Sequence, residues 1–196
     1  FISPGNSKGI YQDLANSYAA IEPPTWSLLL AQSCRSVGFE VGICDANAEQ
    51  LNAEDVLQRV KKLNPRLICF VVYGQNVNAG TVNMSGSVYL SEYLKANNIK
   101  TPIAYVGSHV QAVPIKALTD EPSIDFCFTN EGVYALRNIL SLDKIDINNL
   151  EEIKGIAWRK NGEPTFNPSE IVVPRDKMDI DLPGYAWDLL PYKERP

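Results

Sequence analysis

Short apolar runs alternate with amphipathic stretches over the first 140 or so residues, and this alternation constrains the fold more than any other feature. The strongest run, Leu67–Tyr73, is apolar without interruption, which is typical of a strand covered on both faces in a parallel sheet. Four other segments are predicted strands: Phe1–Ser3, Phe39–Asp45, Pro102–Val106 and Ile124–Thr129. Because helical patterns separate these runs, the sequence predicts five βα units.

The predicted helices have recognisable ends. Apolar residues recur at helical spacing from Trp26 to Val37, and Gly38 stops this helix. Asn52 is a good N-cap for the next helix, which ends before Pro65. The remaining predicted helices are Ser85–Asn97, Pro114–Leu118 and Val133–Leu140.

Five βα units predict an α/β fold with a doubly wound, five-stranded parallel sheet, flavodoxin-like (Rossmann-like), in the strand order 2-1-3-4-5. Farther along the chain, Gly155–Arg159 and Glu163–Phe166 flank Asn161-Gly162, which is a hairpin turn signal. The chain after Asn167 is punctuated by prolines and predicts an irregular linker. We therefore expect a domain at residues 1–142, and a C-terminal β-hairpin with a linker at residues 143–196.

Charge and composition exclude several classes of protein. The 18 basic and 23 acidic residues give a net charge of −5 without a basic run, which argues against a nucleic-acid partner. No stretch approaches the roughly 20 apolar residues of a membrane span. A single histidine, His109, excludes a multi-histidine metal cluster. The four cysteines, at 34, 44, 69 and 127, lie in apolar runs without a C-x-x-C pair, which predicts buried, reduced thiols and a cytoplasmic location.

Ligands of open α/β sheets bind beyond the carboxyl ends of the strands, so the loops to inspect are residues 4–24, 74–84, 107–114 and 130–132. These loops lack G-x-G-x-x-G, G-x-x-x-x-G-K-[ST] and G-x-S-x-G, which excludes dinucleotide, Walker-type and nucleophile-elbow sites. The positions that a phosphorelay receiver fills with aspartate and lysine hold Tyr73 and Thr129.

The residues that remain at this edge are mostly small or carry amides. Glycines let a flat ligand approach the backbone, and amides can bond its periphery. His109 is either a metal ligand or proton carrier, or a loop residue that caps, packs or bonds the edge of a ligand. Glu131 stands at a helix start, where the helix dipole favours a carboxylate with or without a ligand. Asp45, at the end of the second predicted strand, is equally ambiguous.

Several short motifs follow one another along nearly the whole chain: Pro23–Ala31, Gly38–Val41 with Asp45-Ala46, Gly107–Pro114, Asp125-Phe126 with Asn130–Gly132, Ile153–Arg159 with Asn161-Gly162, and Leu182-Pro183 with Trp187–Pro191. This ordered set resembles the N-terminal cobalamin (vitamin B12)-binding domain of radical S-adenosylmethionine enzymes. In that family, a radical barrel follows, whose C-x-x-x-C-x-x-C motif holds a [4Fe–4S] cluster for S-adenosylmethionine. This sequence has no such triplet. The resemblance therefore implies an excised N-terminal domain, not catalytic by itself, whose partners are cobalamin and the barrel domain of the same parent chain.

The resemblance also implies which residues hold cobalamin. Those that would line its lower face or nucleotide tail are Tyr73, Gly74, Gln75 and Asn76. Those that would flank the groove of the tail are Gly107, Ser108, His109, Glu131 and Gly132. The better-known signature D-x-H-x-x-G is absent from Ser3–Ile10, so the resemblance implies a base-off cofactor without a histidine ligand from that loop, and a methyltransferase parent.

Two other readings stay open. The first is a degenerate module of the same fold that binds no cofactor and serves protein interaction or substrate presentation, as the missing D-x-H-x-x-G would allow. The second is a flavin mononucleotide-binding domain, for which Ser3, Gly5, Asn6 and Ser7 imitate a phosphate loop only poorly.

Overall fold

The computed structural model describes residues 1–5, 22–73 and 77–191, with the backbone alone at residues 77–82. Within these residues, seven strands form one sheet. They are β1 (Ile2–Ser3), β2 (Cys44–Asp45), β3 (Ile68–Val72), β4 (Ile103–Gly107), β5 (Phe126–Phe128), β6 (Ile156–Lys160) and β7 (Glu163–Phe166). The helices are α1 (Thr25–Ser36), α2 (Ala53–Leu63), α3 (Val77–Ala96), α4 (Ser108–Ala112), α5 (Pro114–Asp120), α6 (Val133–Leu140) and α7 (Met178–Asp181).

The strand order is β2-β1-β3-β4-β5-β6-β7, and the first five strands are parallel. This confirms the predicted flavodoxin-like order 2-1-3-4-5. The order reverses between β1 and β3, so the crevice at their carboxyl ends is the topological switch point, where such sheets bind ligands.

The C-terminal hairpin extends this sheet, which has seven strands rather than the five predicted. Strand β6 runs antiparallel to β5, with Trp158 opposite Phe126, and β7 pairs with β6 at the edge. Trp158 is buried and its indole Nε1 donates to Asn167 Oδ1 at 2.8 Å. The hairpin therefore covers the open edge of β5, whose backbone groups would otherwise be unpaired.

Two apolar clusters cover the two faces of the sheet, as the uninterrupted apolar character of β3 predicts. Phe70 packs on the face covered by α2, α3 and α5, where it meets Val56 and Leu94. Cys69 and Val71 point to the opposite face, which α1 and α6 cover. All four cysteines are free and buried, and burial raises the pKa of the Cys69 thiol to about 12.

The ends of two helices agree with the sequence. Asn52 and Asp55 form a reciprocal capping box at the start of α2, and Asn64 closes this helix in the left-handed conformation just before Pro65. At the end of α1, the amide of Phe39 donates to Cys34 O, with Gly38 at a φ of +92°. No described helix is both long and apolar enough to cross a lipid bilayer.

Three predictions differ from the structure by more than two residues. Strand β2 covers only Cys44–Asp45 instead of Phe39–Asp45, because its neighbour β1 starts at Ile2 and pairs no farther back. Helix α3 begins at Val77, inside the predicted loop 74–84. The residues from Val77 to Met84 show no apolar stripe from which a helix could be predicted. The predicted loop 107–114 contains the short helix α4.

The linker lies across α1 and α6. Asp181 accepts hydrogen bonds from Arg137 Nη1 at 2.7 Å and from the Tyr134 hydroxyl at 2.6 Å. These bonds hold the pKa of the Asp181 carboxyl below its usual value. Ala186 is buried against Leu28 of α1. The irregular chain after β7 thus has a defined path over the domain.

Candidate functional site

The carboxyl ends of the parallel strands form the candidate site. Tyr73 follows β3, Gly107 ends β4, and Ser108 and His109 open α4. Glu131 and Gly132 stand between β5 and α6. Six of the nine predicted site residues therefore lie at one edge of the sheet. Gly74, Gln75 and Asn76 lie outside the described residues.

Gly107 is needed for the approach of β4 to β3. A Cβ at this position would stand 2.2 Å from Val72 O and 2.6 Å from Val72 C. These are backbone atoms of a paired strand, so a side chain here would push the two strands apart at the edge that carries the site. The pairing of β3 with β4 therefore explains why glycine is required at position 107, whether or not a ligand binds there.

Tyr73 lies at the centre of a network that joins three loops. Its ring makes an edge-on contact with Trp26, with 5.3 Å between ring centroids. Its hydroxyl accepts a hydrogen bond from Gln111 Nε2, which also donates to Asn130 O at 2.6 Å. Burial raises the pKa of Tyr73 to about 12, so the phenol stays neutral at physiological pH. The loops after β3, β4 and β5 are thereby held together by one amide.

A cavity of about 170 Å³ opens beside this network, between β1, the end of β3 and the start of α1. Trp26 and Tyr73 form an aromatic part of its wall, and Ser3 and Ser27 add two hydroxyls, whose Oγ atoms are 3.0 Å apart. Its place is the switch point of the sheet. Its lining combines flat apolar surface with a few polar groups, as small-molecule sites do.

A larger cavity, of about 510 Å³, lies at the opposite edge of the sheet. Phe1, Val41, Leu63, Leu67 and Leu140 are among its mostly apolar lining residues. Because it lies at the amino ends of the strands, it is not the candidate ligand site.

Comparison with known families decides the class of the chain. The model of the family described as "B12 binding domain" matches residues 11–140. The chain belongs to this family. The match begins at residue 11, after β1 in the chain, and ends with α6 at Leu140, so it includes the described residues at the ends of β3, β4 and β5.

Solved structures share the fold of this B12-binding domain. The radical S-adenosylmethionine methyltransferase TsrM from Kitasatospora setae, solved with tryptophan and a SAM analogue, is 16% identical over 85% of this chain, with a TM-score of 0.63. The cobalamin-dependent S-adenosylmethionine radical enzyme OxsB, solved with aqua-cobalamin and S-adenosylmethionine, is 16% identical over 96% of this chain, with a TM-score of 0.69. The chain spans only 29% and 24% of those two proteins. No curated protein sequence matches it.

The B12-binding domain uses Glu131 and His109 in ways that sequence reasoning did not resolve. Glu131 Oε1 accepts a hydrogen bond from the amide of Val173 at 2.7 Å, so its carboxylate faces the linker. His109 lies half-buried in the first turn of α4. Among the described residues, no three His, Cys, Asp or Glu side chains come together to hold a metal ion.

Three residues at the site were missed by the sequence reasoning. From the sequence, Trp26 was predicted only as part of the apolar face of a helix. Gln111 and Ser27 were covered only by the motifs Gly107–Pro114 and Pro23–Ala31. A signal for Trp26 and Ser27 is their position in the first turn of α1, the first described helix after β1 in the chain. Gln111 carried no comparable signal, because its two partners are 38 and 19 residues away in the chain.

Proposed function

We propose that this chain binds cobalamin at the carboxyl edge of its sheet, as the cofactor domain of a radical S-adenosylmethionine methyltransferase. The observation that carries the proposal is the cavity at the switch point of a B12-binding domain, with Trp26 and Tyr73 on one side and the Ser3–Ser27 hydroxyl pair on the other. The ordered motifs of the sequence, from Pro23–Ala31 to Trp187–Pro191, support the same assignment.

The cavity suits the flat nucleotide base of cobalamin. An aromatic wall supplies apolar contact with a bicyclic ring, while a serine hydroxyl can bond a ring nitrogen. Tyr73, Gly107, Ser108, His109 and Gly132 then form the rim around the rest of the tail, together with the predicted residues Gly74–Asn76. Glu131, predicted at the same rim, turns its carboxylate to the linker.

The cofactor is bound base-off in this proposal, without a histidine on its cobalt. The single histidine of the chain is His109, which follows β4, so the loop after β1 offers none. When bound, cobalamin supplies a cobalt centre that can accept and donate a methyl group. In this proposal Tyr73 stays a neutral phenol, and its contacts with Gln111 and Trp26 hold the aromatic wall of the cavity in place.

Catalysis requires a second domain in this proposal. One solved structure of TsrM holds an S-adenosylmethionine analogue, and another holds cobalamin and a [4Fe–4S] cluster. The chains of TsrM and OxsB are more than three times as long as the region matched. We propose that residues 1–142 hold cobalamin and that residues 143–196 lead toward a radical barrel, which supplies the cluster and selects the substrate.

Uptake of hydroxocobalamin by the purified protein tests the proposal. After desalting, we expect retained corrin absorbance, and a cobalt spectrum that His109→Ala leaves unchanged. Ser27→Val removes one cavity hydroxyl and should weaken binding about fivefold, the equivalent of about one hydrogen bond. Ser33→Val, at a buried serine of the same helix that does not line the cavity, is the matched control. A folded protein that stays colourless would refute cobalamin binding and support the degenerate module.

A further inference from the structure

The turn formed by Asn130 and Glu131 contacts both the candidate site and the linker. Its backbone carbonyls bind residues of the candidate site, since Gln111 Nε2 donates to Asn130 O at 2.6 Å and Trp26 Nε1 donates to Glu131 O at 3.2 Å. The Asn130 side chain also braces the turn itself, because its Oδ1 accepts from the amide of Gly132 at 2.9 Å.

The side chains of the same turn bind the linker. Asn130 Nδ2 donates to Glu170 O at 3.0 Å, and Glu131 Oε1 accepts from the amide of Val173 at 2.7 Å. Pro168, which precedes this stretch of the linker, is also bound to the domain, because Gly155 N donates to Pro168 O at 2.8 Å. A Cβ on Gly155 would come within 2.6 Å of Glu170 Cβ, so this packing leaves no spare room.

We propose that the Asn130–Glu131 turn is a joint between the cobalamin edge and the linker, and that Glu131 is a positioning residue rather than a ligand of the cofactor. This inference rests on the proposed function only for its effect on cobalamin. Its basis is that one turn commits its backbone to Trp26 and Gln111 and its side chains to residues 170–173.

The joint has a thermodynamic consequence. If the position of the turn influences both the Trp26–Tyr73 wall and the linker, the coupling between them is reciprocal. The bond from the linker to Glu131 keeps Trp26 and Tyr73 in the arrangement that binds cobalamin. Binding of cobalamin in turn stabilises the position of the linker at residues 170–173. Ile171 and Val172, exposed on the same short stretch, would be oriented by the same bonds.

The indole N–H signal of Trp26 in a two-dimensional NMR spectrum tests the joint without any cofactor. The chain has three tryptophans, and Trp26→Phe identifies the signal. Val173→Pro removes the linker donor while keeping an apolar side chain and leaving Glu131 intact. We expect Val173→Pro and Glu131→Ala to shift the Trp26 signal. The isosteric Glu131→Gln, whose amide oxygen can still accept, should shift it little. Glu152→Ala, an exposed residue with the same change of charge, is the matched control.

Hydroxocobalamin affinity provides the second readout. We expect Val173→Pro and Glu131→Ala each to weaken binding about fivefold, as the loss of about one hydrogen bond would, and Glu131→Gln to bind as the unmodified protein does. A Trp26 signal unmoved by both Val173→Pro and Glu131→Ala would overturn the joint. Equal loss of affinity in Glu131→Gln and Glu131→Ala would overturn the positioning role. If the unmodified protein takes up no hydroxocobalamin, the proposed function fails, while the indole signal still decides the joint.

Discussion

Replacing Gly107 by alanine should destabilise the domain, because the added Cβ would collide with the backbone of Val72 in β3. The added Cβ would lie 2.2 Å from Val72 O, whereas an ordinary carbon–oxygen contact is about 3.3 Å, so the two strands must separate by about 1 Å. A ladder hydrogen bond of about 2.9 Å that lengthens by this amount is no longer a bond. The change therefore acts at the one place where β3 and β4 are closest to the candidate site.

The magnitude follows from two terms. Loss of one or two ladder hydrogen bonds costs about 1 kcal/mol each, and forced repacking of a close-packed interior costs about 1–3 kcal/mol. We expect Gly107→Ala to lower the free energy of unfolding by about 2–4 kcal/mol. For a domain of this size, that corresponds to a fall in Tm of about 5–15 °C.

Gly42→Ala is the matched control for this prediction. The same added methyl group would meet only Leu63 Cδ1, at 3.8 Å, an ordinary contact. We expect it to change stability by less than about 1 kcal/mol, in the stabilising direction, because alanine restricts the unfolded chain. Urea unfolding followed by far-ultraviolet circular dichroism measures both variants. Equal midpoints for Gly107→Ala and Gly42→Ala would show that the approach of β4 to β3 does not require glycine.

Three further predictions concern the linker, the hairpin and the thiols. Asp181→Asn should lower the free energy of unfolding by about 1–2 kcal/mol near neutral pH. The pKa of Asp181 is lower in the folded state than in the unfolded state. The difference in Tm between the variant and the unmodified protein should therefore persist above the unfolded pKa of about 3.9 and vanish as the pH falls through the folded pKa. A difference that grew toward low pH would contradict this. Asn167→Ala removes the acceptor of the Trp158 indole and the donor to two carbonyls, so it should cost about 2–3 kcal/mol in urea unfolding. Asn149→Ala, at an exposed asparagine, provides the comparison. The four buried cysteines, whose thiol pKa values are raised by burial to about 11 or 12, should react with a disulfide reagent at pH 8 only on denaturation; one fast-reacting thiol in the native protein would refute their burial.

Much of the fold could be predicted from pattern because the determinants are local. The uninterrupted apolar run of β3, the Asn52–Asp55 capping box and the Asn161-Gly162 turn each depend on a few neighbouring residues. Where the pattern was weak, the prediction was wrong. Helix α3 starts eight residues before the predicted start at Ser85, since its first turns lack an apolar stripe. The length of β2 depends on how far β1 pairs with it, which its own sequence does not contain.

The candidate site was predictable as a place but not as an arrangement. The rule that ligands bind beyond the carboxyl ends of the strands selected the loops that hold Tyr73, Gly107 and Glu131. It could not show that Glu131 faces the linker, or that Gln111 joins Tyr73 to Asn130. Such contacts link residues far apart in the chain, and a single sequence carries no signal for pairs of this kind.

By itself, the sequence determined the α/β class, the order of the parallel strands and the family resemblance, because these follow from hydrophobic periodicity, turn chemistry and ordered motifs along the chain. Only the tertiary structure decided that the hairpin completes the same sheet, that Trp26 and Ser27 line the cavity at the switch point, and that one turn joins the site to the linker. The physical reason is that hydrogen bonds and cavities depend on distances between segments, which exist only once the chain has packed.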